Sequence, residues 1–193
     1  MKVIKLNQNQ LDIDLINEAI DVLIDGGVIL YPTDTVYGLG ANIFNKEAVN
    51  RIYNIKKRSK DKPLSICVSC VENISLVADI NEDQKNFILD YLPGPYTFLF
   101  NKKNIIPEYI APFTKKIGVR VPDSSISQLL SSLFPIVTTS ANISNKSTLN
   151  NPKDIINQLD GQVDLVLDAG ILGDNKPSTI IDLTNEDYSI IRS

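Results

Sequence analysis

Histidine is absent from this 193-residue chain. That absence removes Ser-His-Asp and Cys-His catalysis, histidine metal sites and an imidazole proton shuttle. Cysteine is scarce, with two residues, which is too few for a disulfide framework. No apolar run approaches the ~18–20 residues that span a bilayer. Residues 1–10 carry Lys2 and Lys5, Asp12 and Asp14 follow, and the apolar core of a signal peptide is missing. The expectation is a soluble, cytoplasmic protein with no membrane partner. Positive charge is not in excess either: 19 Lys and Arg stand against 23 Asp and Glu, a net charge of -4. A globally basic nucleic-acid binder is disfavoured, while a local basic patch is still open. Walker A, G-x-S-x-G and H-E-x-x-H patterns are all missing.

What is present describes an ordinary globular protein. Apolar residues make up 43%, charged residues 22% and aromatic residues 7%. At ~100–200 residues per domain the length suits one domain over residues 1–193. A chain this long buries roughly 70% of its unfolded surface and needs no metal or disulfide to fold.

Periodicity alternates between helix and strand. Ile13, Ile16, Ala19, Ile20, Leu23 and Ile24 recur at helical spacing, and Gly26-Gly27 can close that helix in a left-handed cap. Helices are also predicted after Asn45, over 82–92 and over 124–133. Short apolar runs predict strands at 28–31, 64–68, 97–100, 117–121, 136–139, 163–167, 179–183 and 188–191. This order is that of an α/β sheet flanked by helices, and the closely spaced last strands make it mixed rather than parallel.

Several segments could carry chemistry. Pro32-Thr33-Asp34-Thr35-Val36-Tyr37-Gly38-Leu39-Gly40-Ala41 follows a predicted buried strand, where α/β sheets place their sites. It reads as a ligand loop whose glycines admit a ligand to the backbone, or as a plain polar connection. Lys56-Lys57-Arg58-Ser59-Lys60-Asp61-Lys62 packs five cations into seven residues. Those cations suit either a polyphosphate or a solvated helix end. Thr138-Thr139-Ser140-Ala141-Asn142-Ile143-Ser144 ends a strand in hydroxyls and amides, able to hold an anion with neutral donors or to form a turn. Arg120 stands inside a predicted strand and needs a partner there. Cys67-Val68-Ser69-Cys70 matches C-x-x-C, but Cys67 falls in a strand rather than at a helix N-terminus, so two packed thiols are expected.

In order along the chain, these segments resemble the YrdC family, the threonylcarbamoyl-AMP synthases. The resemblance rests on Tyr31 to Gly40, Lys56-Lys57-Arg58 with Lys62-Pro63-Leu64, Pro93-Gly94-Pro95-Tyr96-Thr97 and Gly118-Val119-Arg120-Val121-Pro122. Ser140-Ala141-Asn142, Pro177-Ser178-Thr179-Ile180-Ile181-Asp182 and Ile191-Arg192 complete it. It implies a single-domain twisted mixed sheet with a concave basic cavity, in the short form without the C-terminal extension of longer members. It also implies that ATP, L-threonine and bicarbonate react to give threonylcarbamoyl-AMP and pyrophosphate for the threonylcarbamoyladenosine modification of tRNA.

By that resemblance, the catalytic residues are Lys56, Arg58, Ser140 and Asn142. Threonine falls to Thr35, Cys67, Arg120, Ser140, Ser178 and Thr179, with Cys67 standing where longer members carry histidine. ATP falls to Lys56, Arg58, Lys62, Lys116, Asn142, Asn150 and Arg192, with Lys116 at a place often held by threonine. Mg2+ is expected through ATP, with no protein ligand assigned and the part of Asp34 left open. Implied partners are tRNA or double-stranded RNA and a separate threonylcarbamoyl transferase complex. Two other readings share the fold: a YciO-type relative and a double-stranded-RNA binder using the same cavity. The intact Lys56-Lys57-Arg58 and Ser140-Ala141-Asn142 favour the synthase, because the YciO branch tends to lose one or both.

Overall fold

The structure, a computed structural model, describes residues 1–7, 11–173 and 176–193. In chain order the strands and helices are β1 (Lys2–Lys5), α1 (Ile13–Ile24), β2 (Ile29–Tyr31), β3 (Gly38–Gly40), α2 (Lys46–Ile55), β4 (Ser65–Cys67), α3 (Ile74–Val77), β5 (Ala78–Asp79) and α4 (Glu82–Leu89). They continue with β6 (Tyr96–Lys102), β7 (Lys116–Arg120), α5 (Ser125–Leu130), β8 (Ile136–Ser140), α6 (Pro152–Gln158), β9 (Leu165–Asp168), β10 (Thr179–Asp182) and β11 (Ser189–Arg192). Among the described residues the strands form one sheet, ordered β1-β9-β2-β3-β8-β4-β7-β6-β10-β11, with β5 beside β6. Parallel pairs such as β4–β7 adjoin antiparallel ones such as β4–β8, so the sheet is mixed. No described helix is long and apolar enough to cross a membrane.

Local chemistry starts and stops the helices. Asp12 caps α1 by accepting the Asp14 N–H. Gly26 ends α1 at φ +80°, and the Gly27 N–H returns to the Val22 carbonyl at 2.7 Å. Asn45 caps α2 by accepting the Ala48 N–H. At the far end of α2 the left-handed position belongs to Lys57, at φ +48°, and the Arg58 N–H returns to the Tyr53 carbonyl at 2.9 Å. This turn, formed without glycine, swings the chain off the helix and starts the basic segment.

Strand alternation sends side chains to two faces. On the first face Leu30, Leu39, Ile66, Phe98, Val119, Val137 and Ile181 pack with Val49, Ile52 and Tyr53 of α2 and with Ile88 and Ile155. On the second, Ile4, Ile29, Tyr31, Cys67, Ile136, Leu165 and Leu167 pack with Ile16, Ala19, Ile20 and Leu23 of α1 and Ile126 and Leu130 of α5. That second cluster takes residues from β1, β9, β2, β8 and the end of β4, and none from β7, β6 or β10. The second face of those three strands therefore lies outside the cover of α1 and α5.

The segment 32–41, read as a loop, is partly a strand. Gly38–Gly40 pairs antiparallel with both β2 and β8. The glycines answer to packing here: a Cβ on Gly38 or Gly40 would stand 3.2 or 3.0 Å from the Tyr31 ring. β1, β5, α3 and α6 were not predicted.

Candidate active site

The uncovered half of the second face is the floor of a cavity of about 510 Å³. Alternation supplies its side chains: Lys116, Gly118 and Arg120 from β7, Thr97 and Leu99 from β6, Thr138 and Ser140 from β8, Ser65 from β4 and Ile180 from β10. Gly118 keeps the floor deep, because a Cβ there would meet Ser65 Oγ at 2.6 Å and Thr97 Cγ2 at 3.1 Å.

One wall is the turn after α2. Lys56 is 2% exposed, and its ammonium donates to the Ser140 carbonyl, to the Asn142 carbonyl at 2.8 Å and to Asn142 Oδ1 at 3.1 Å. Its own carbonyl accepts the Ser144 N–H at 2.8 Å. Side chain and main chain of one residue thus hold the segment after β8 against the end of α2. Ser140 Oγ donates to Asn142 Oδ1 at 2.7 Å, and Asn142 Nδ2 donates to the Lys146 carbonyl at 2.6 Å. Arg58 folds back along its own loop, donating to the Pro63 carbonyl at 2.8 Å.

The opposite end is organised by Arg120. Its Nη2 donates to Asp34 Oδ1 at 2.8 Å and to Thr35 Oγ1 at 3.3 Å. Both side chains of the Arg120–Asp34 pair are 8% exposed. The second oxygen of Asp34 accepts the Asp123 N–H at 3.1 Å. A third wall brings Arg192, whose Nη2 donates to the Ser178 carbonyl at 2.7 Å, while Ser178 Oγ and Thr97 Oγ1 lie 2.7 Å apart. Lys116 is paired with Asp182 at 2.6 Å.

Among the described residues the lining holds six cations, Lys56, Arg58, Lys62, Lys116, Arg120 and Arg192, and no carboxylate. The electrostatics follow from that composition. Burial, with Arg58 beside it, pushes Lys56 down to about 7. Burial lowers Arg58, and burial followed by the field of Arg120 lowers Arg192. These groups sit together with too little negative charge among them, which favours an anionic ligand. Two of the three buried side-chain atoms without a partner among the described residues, Arg120 Nε and Ser144 Oγ, belong to lining residues.

Comparison with known proteins gives this geometry its family. A sequence profile for Sua5, YciO and YrdC proteins, described as "Telomere recombination", matches residues 21–193. The chain belongs to the Sua5/YciO/YrdC family. A putative threonylcarbamoyl-AMP synthase of Methanocaldococcus jannaschii is 41% identical over 170 residues, which is 88% of this chain and 81% of that protein. The Pyrococcus abyssi Sua5 structure complexed with L-threonine superimposes with a TM-score of 0.93 at 30% identity, over 100% of this chain and 57% of that one. Escherichia coli YciO superimposes with a TM-score of 0.92 at 31% identity, over 100% of this chain and 96% of that one.

Within this Sua5/YciO/YrdC fold, Thr35, Lys56, Arg58, Lys62, Lys116, Arg120, Ser140, Asn142, Ser178 and Arg192 all line the one cavity. Cys67, Thr179 and Asn150 are not among its lining residues. Cys67 shares its sheet face with Ser65, but α5 covers it: the thiol is fully buried, with Ser131 Oγ at 3.6 Å and the Ser127 carbonyl at 3.9 Å. The expected threonine contact of Cys67 therefore falls on a residue outside the cavity lining. Burial pushes that thiol up to about 11, opposite to what a reactive thiolate needs. Thr179 shares the parity of Ile181, which packs on the first face, so Ser178 and Ile180 line the cavity instead.

Thr97 and Ser65 line the cavity without having been assigned to it, and Ser144 joins them from the 138–144 donor segment. Period-two alternation through 97–99 and 116–120 was the signal for the floor; nothing in the sequence marked Ser65. For Mg2+, the lining offers no carboxylate among the described residues, and Asp34 is committed to Arg120 and the Asp123 N–H. Hard divalent cations favour carboxylate and phosphate oxygens. These residues do not build a protein site for the ion.

Proposed function

We propose that this chain is an L-threonylcarbamoyladenylate synthase. It would join ATP, L-threonine and bicarbonate into threonylcarbamoyl-AMP, with release of pyrophosphate, for threonylcarbamoyladenosine in tRNA. The supporting observation is the convergence of Lys56, Arg58 and Lys62 with Ser140 and Asn142 on one cavity that also holds Arg120, while Lys57 and Lys60 are not among its lining residues. The naming of relatives at 31–41% identity as threonylcarbamoyl-AMP synthases supports the same reading.

In this reading the threonine carboxylate lies on Arg120, whose Nε has no partner among the described residues. A guanidinium grips a carboxylate with two parallel bonds, and Asp34 fixes the guanidinium plane from behind. Thr35 and Ser178 flank the amino acid, and Arg58, Lys62, Lys116 and Arg192 face the phosphates. The neutral threonine amine bonds to the carbon of bicarbonate, and water leaves to give a carbamate. A carbamate oxygen then bonds to the α-phosphorus as the α–β bridging bond breaks, and its electron pair leaves on pyrophosphate. Negative charge grows on the phosphates, where the fixed guanidinium and ammonium groups stabilise it. Holding three reactants together supplies a proximity contribution of about 7 kcal/mol or more. No nucleophilic side chain and no histidine is required. Mg2+ enters as the counter-ion of ATP. The unstable adenylate passes to a separate transferase acting on tRNA.

The experiment is pyrophosphate release from ATP with and without threonine and bicarbonate. Release that needs both supports the reading, and release indifferent to threonine rejects it. A second reading, a YciO-type relative without synthase activity, is favoured by the TM-score of 0.92 to Escherichia coli YciO at 31% identity, as near as that to Sua5. It predicts no threonine-dependent turnover. Salt-sensitive retention of double-stranded RNA without such turnover is the signature of an RNA binder using the same cavity.

A further inference from the structure

Ser144 has no role in the account so far, yet it stands at the junction of the two converging segments. Its N–H is fixed by the Lys56 carbonyl at 2.8 Å. Its residue lines the cavity beside Lys56, Arg58 and Asn142. Its Oγ is buried and has no hydrogen-bond partner among the described residues. Buried hydroxyls without a partner are uncommon, because the group loses water and gains nothing.

The neighbouring protein groups do not supply what this hydroxyl lacks. Lys56 offers only N–H donors, all three directed at residues 140 and 142. Asn142 Oδ1 already accepts from Lys56 and Ser140, and Asn142 Nδ2 is a donor bound to the Lys146 carbonyl. Arg58, facing the same space, is also a donor. Ser144 O–H therefore lacks an acceptor, and the missing acceptor sits among cations. Ser127 Oγ is orphaned as well, but Ser127 belongs to α5 and is not among the lining residues.

We infer that Ser144 Oγ is a direct ligand of a polyphosphate oxygen, donating its proton to the triphosphate beside Lys56 and Arg58. The inference rests on the triphosphate site proposed above and adds a residue to it. It makes Ser144 a binding residue whose hydroxyl is unsatisfied until the anion arrives.

The test is calorimetric titration of the full chain with inorganic tripolyphosphate, alongside thermal melts without ligand. Ser144→Ala should melt at the same temperature as the wild type or higher, because it deletes an unsatisfied group. It should bind tripolyphosphate roughly tenfold more weakly, the loss expected for one hydrogen bond to a charged acceptor. Ser144→Thr keeps a hydroxyl on Cβ and should retain most of the affinity. Wild-type affinity in Ser144→Ala overturns the inference while leaving the triphosphate site standing. Equal loss in the alanine and threonine variants also overturns it, by showing that shape rather than the hydroxyl matters. A wild-type chain that binds neither tripolyphosphate nor ATP removes the inference and the proposed function together.

Discussion

Lys56 and Asn142, 86 residues apart in sequence, are joined twice: the lysine ammonium donates to the main-chain carbonyl of Asn142 at 2.8 Å and to its side-chain oxygen at 3.1 Å. A third N–H goes to the Ser140 carbonyl. All three donors of the ammonium are thus committed to the segment after β8. Lys56 shapes the donor segment, and in the proposed reaction the phosphates fall to cations such as Arg58 and Arg192.

Replacing Lys56 by methionine keeps the length of the side chain and removes the clamp. Three oxygens lose a charged donor in a nearly buried position, so unfolding free energy should fall by about 2–3 kcal/mol. Pyrophosphate release should fall with it. Denaturant melts and the release assay check both; unchanged values would show that the segment holds itself.

The same residue makes stability and binding depend on pH. Its pKa is about 7 in the folded chain against 10.5 for an ordinary lysine. Between those values the unfolded chain binds a proton that the folded chain does not, so this group's contribution to stability rises with pH across that window. Below about 7 both states are protonated and the contribution is flat. A bound triphosphate favours the ammonium, so binding at pH 8 should take up protons and binding at pH 6 almost none. Titrations in buffers of different ionisation enthalpy measure this directly, and equal uptake at both pH values would contradict it.

Gly118→Ala tests the floor. The added methyl meets Ser65 Oγ at 2.6 Å and Thr97 Cγ2 at 3.1 Å. Overpacking of this kind costs about 1–3 kcal/mol. Because the methyl points into the cavity, threonine-dependent turnover should fall further than the melting temperature suggests. Wild-type turnover would show that substrates do not reach the floor.

Lys57→Gly tests the turn. Lys57 holds φ +48° at an exposed position, a conformation that glycine adopts without a Cβ penalty. Stability should rise by about 1 kcal/mol. A drop in the melting temperature would show that the lysine side chain contributes more than the strain removes.

Much of this was legible in the sequence for identifiable reasons. The Ile13–Ile24 helix announced itself through spacing and its Gly26 stop, and the cations of 56–62 and the hydroxyls of 138–144 stood out by density. Two kinds of information were not legible. The Lys2–Lys5 strand is exposed at three of its four residues and pairs only at the sheet edge, so it has no apolar signature. Cys67 and Ser65 share a sheet face by alternation, and only the docking of α5 over one of them separates a core thiol from a cavity hydroxyl. The resemblance assigned Lys56 to catalysis and ATP, and a sequence does not show that its ammonium also donates to three carbonyl oxygens of residues 140 and 142.

The most direct measurement of the central claim follows carbon from bicarbonate. The chain is incubated with ATP, threonine and ¹³C-bicarbonate, and the products are read by mass spectrometry. The account predicts a threonine–AMP adduct that carries the labelled carbon and is lost in an Arg58→Ala variant that still melts cooperatively. ATP consumed without a labelled adduct, or an adduct undiminished in Arg58→Ala, would contradict it.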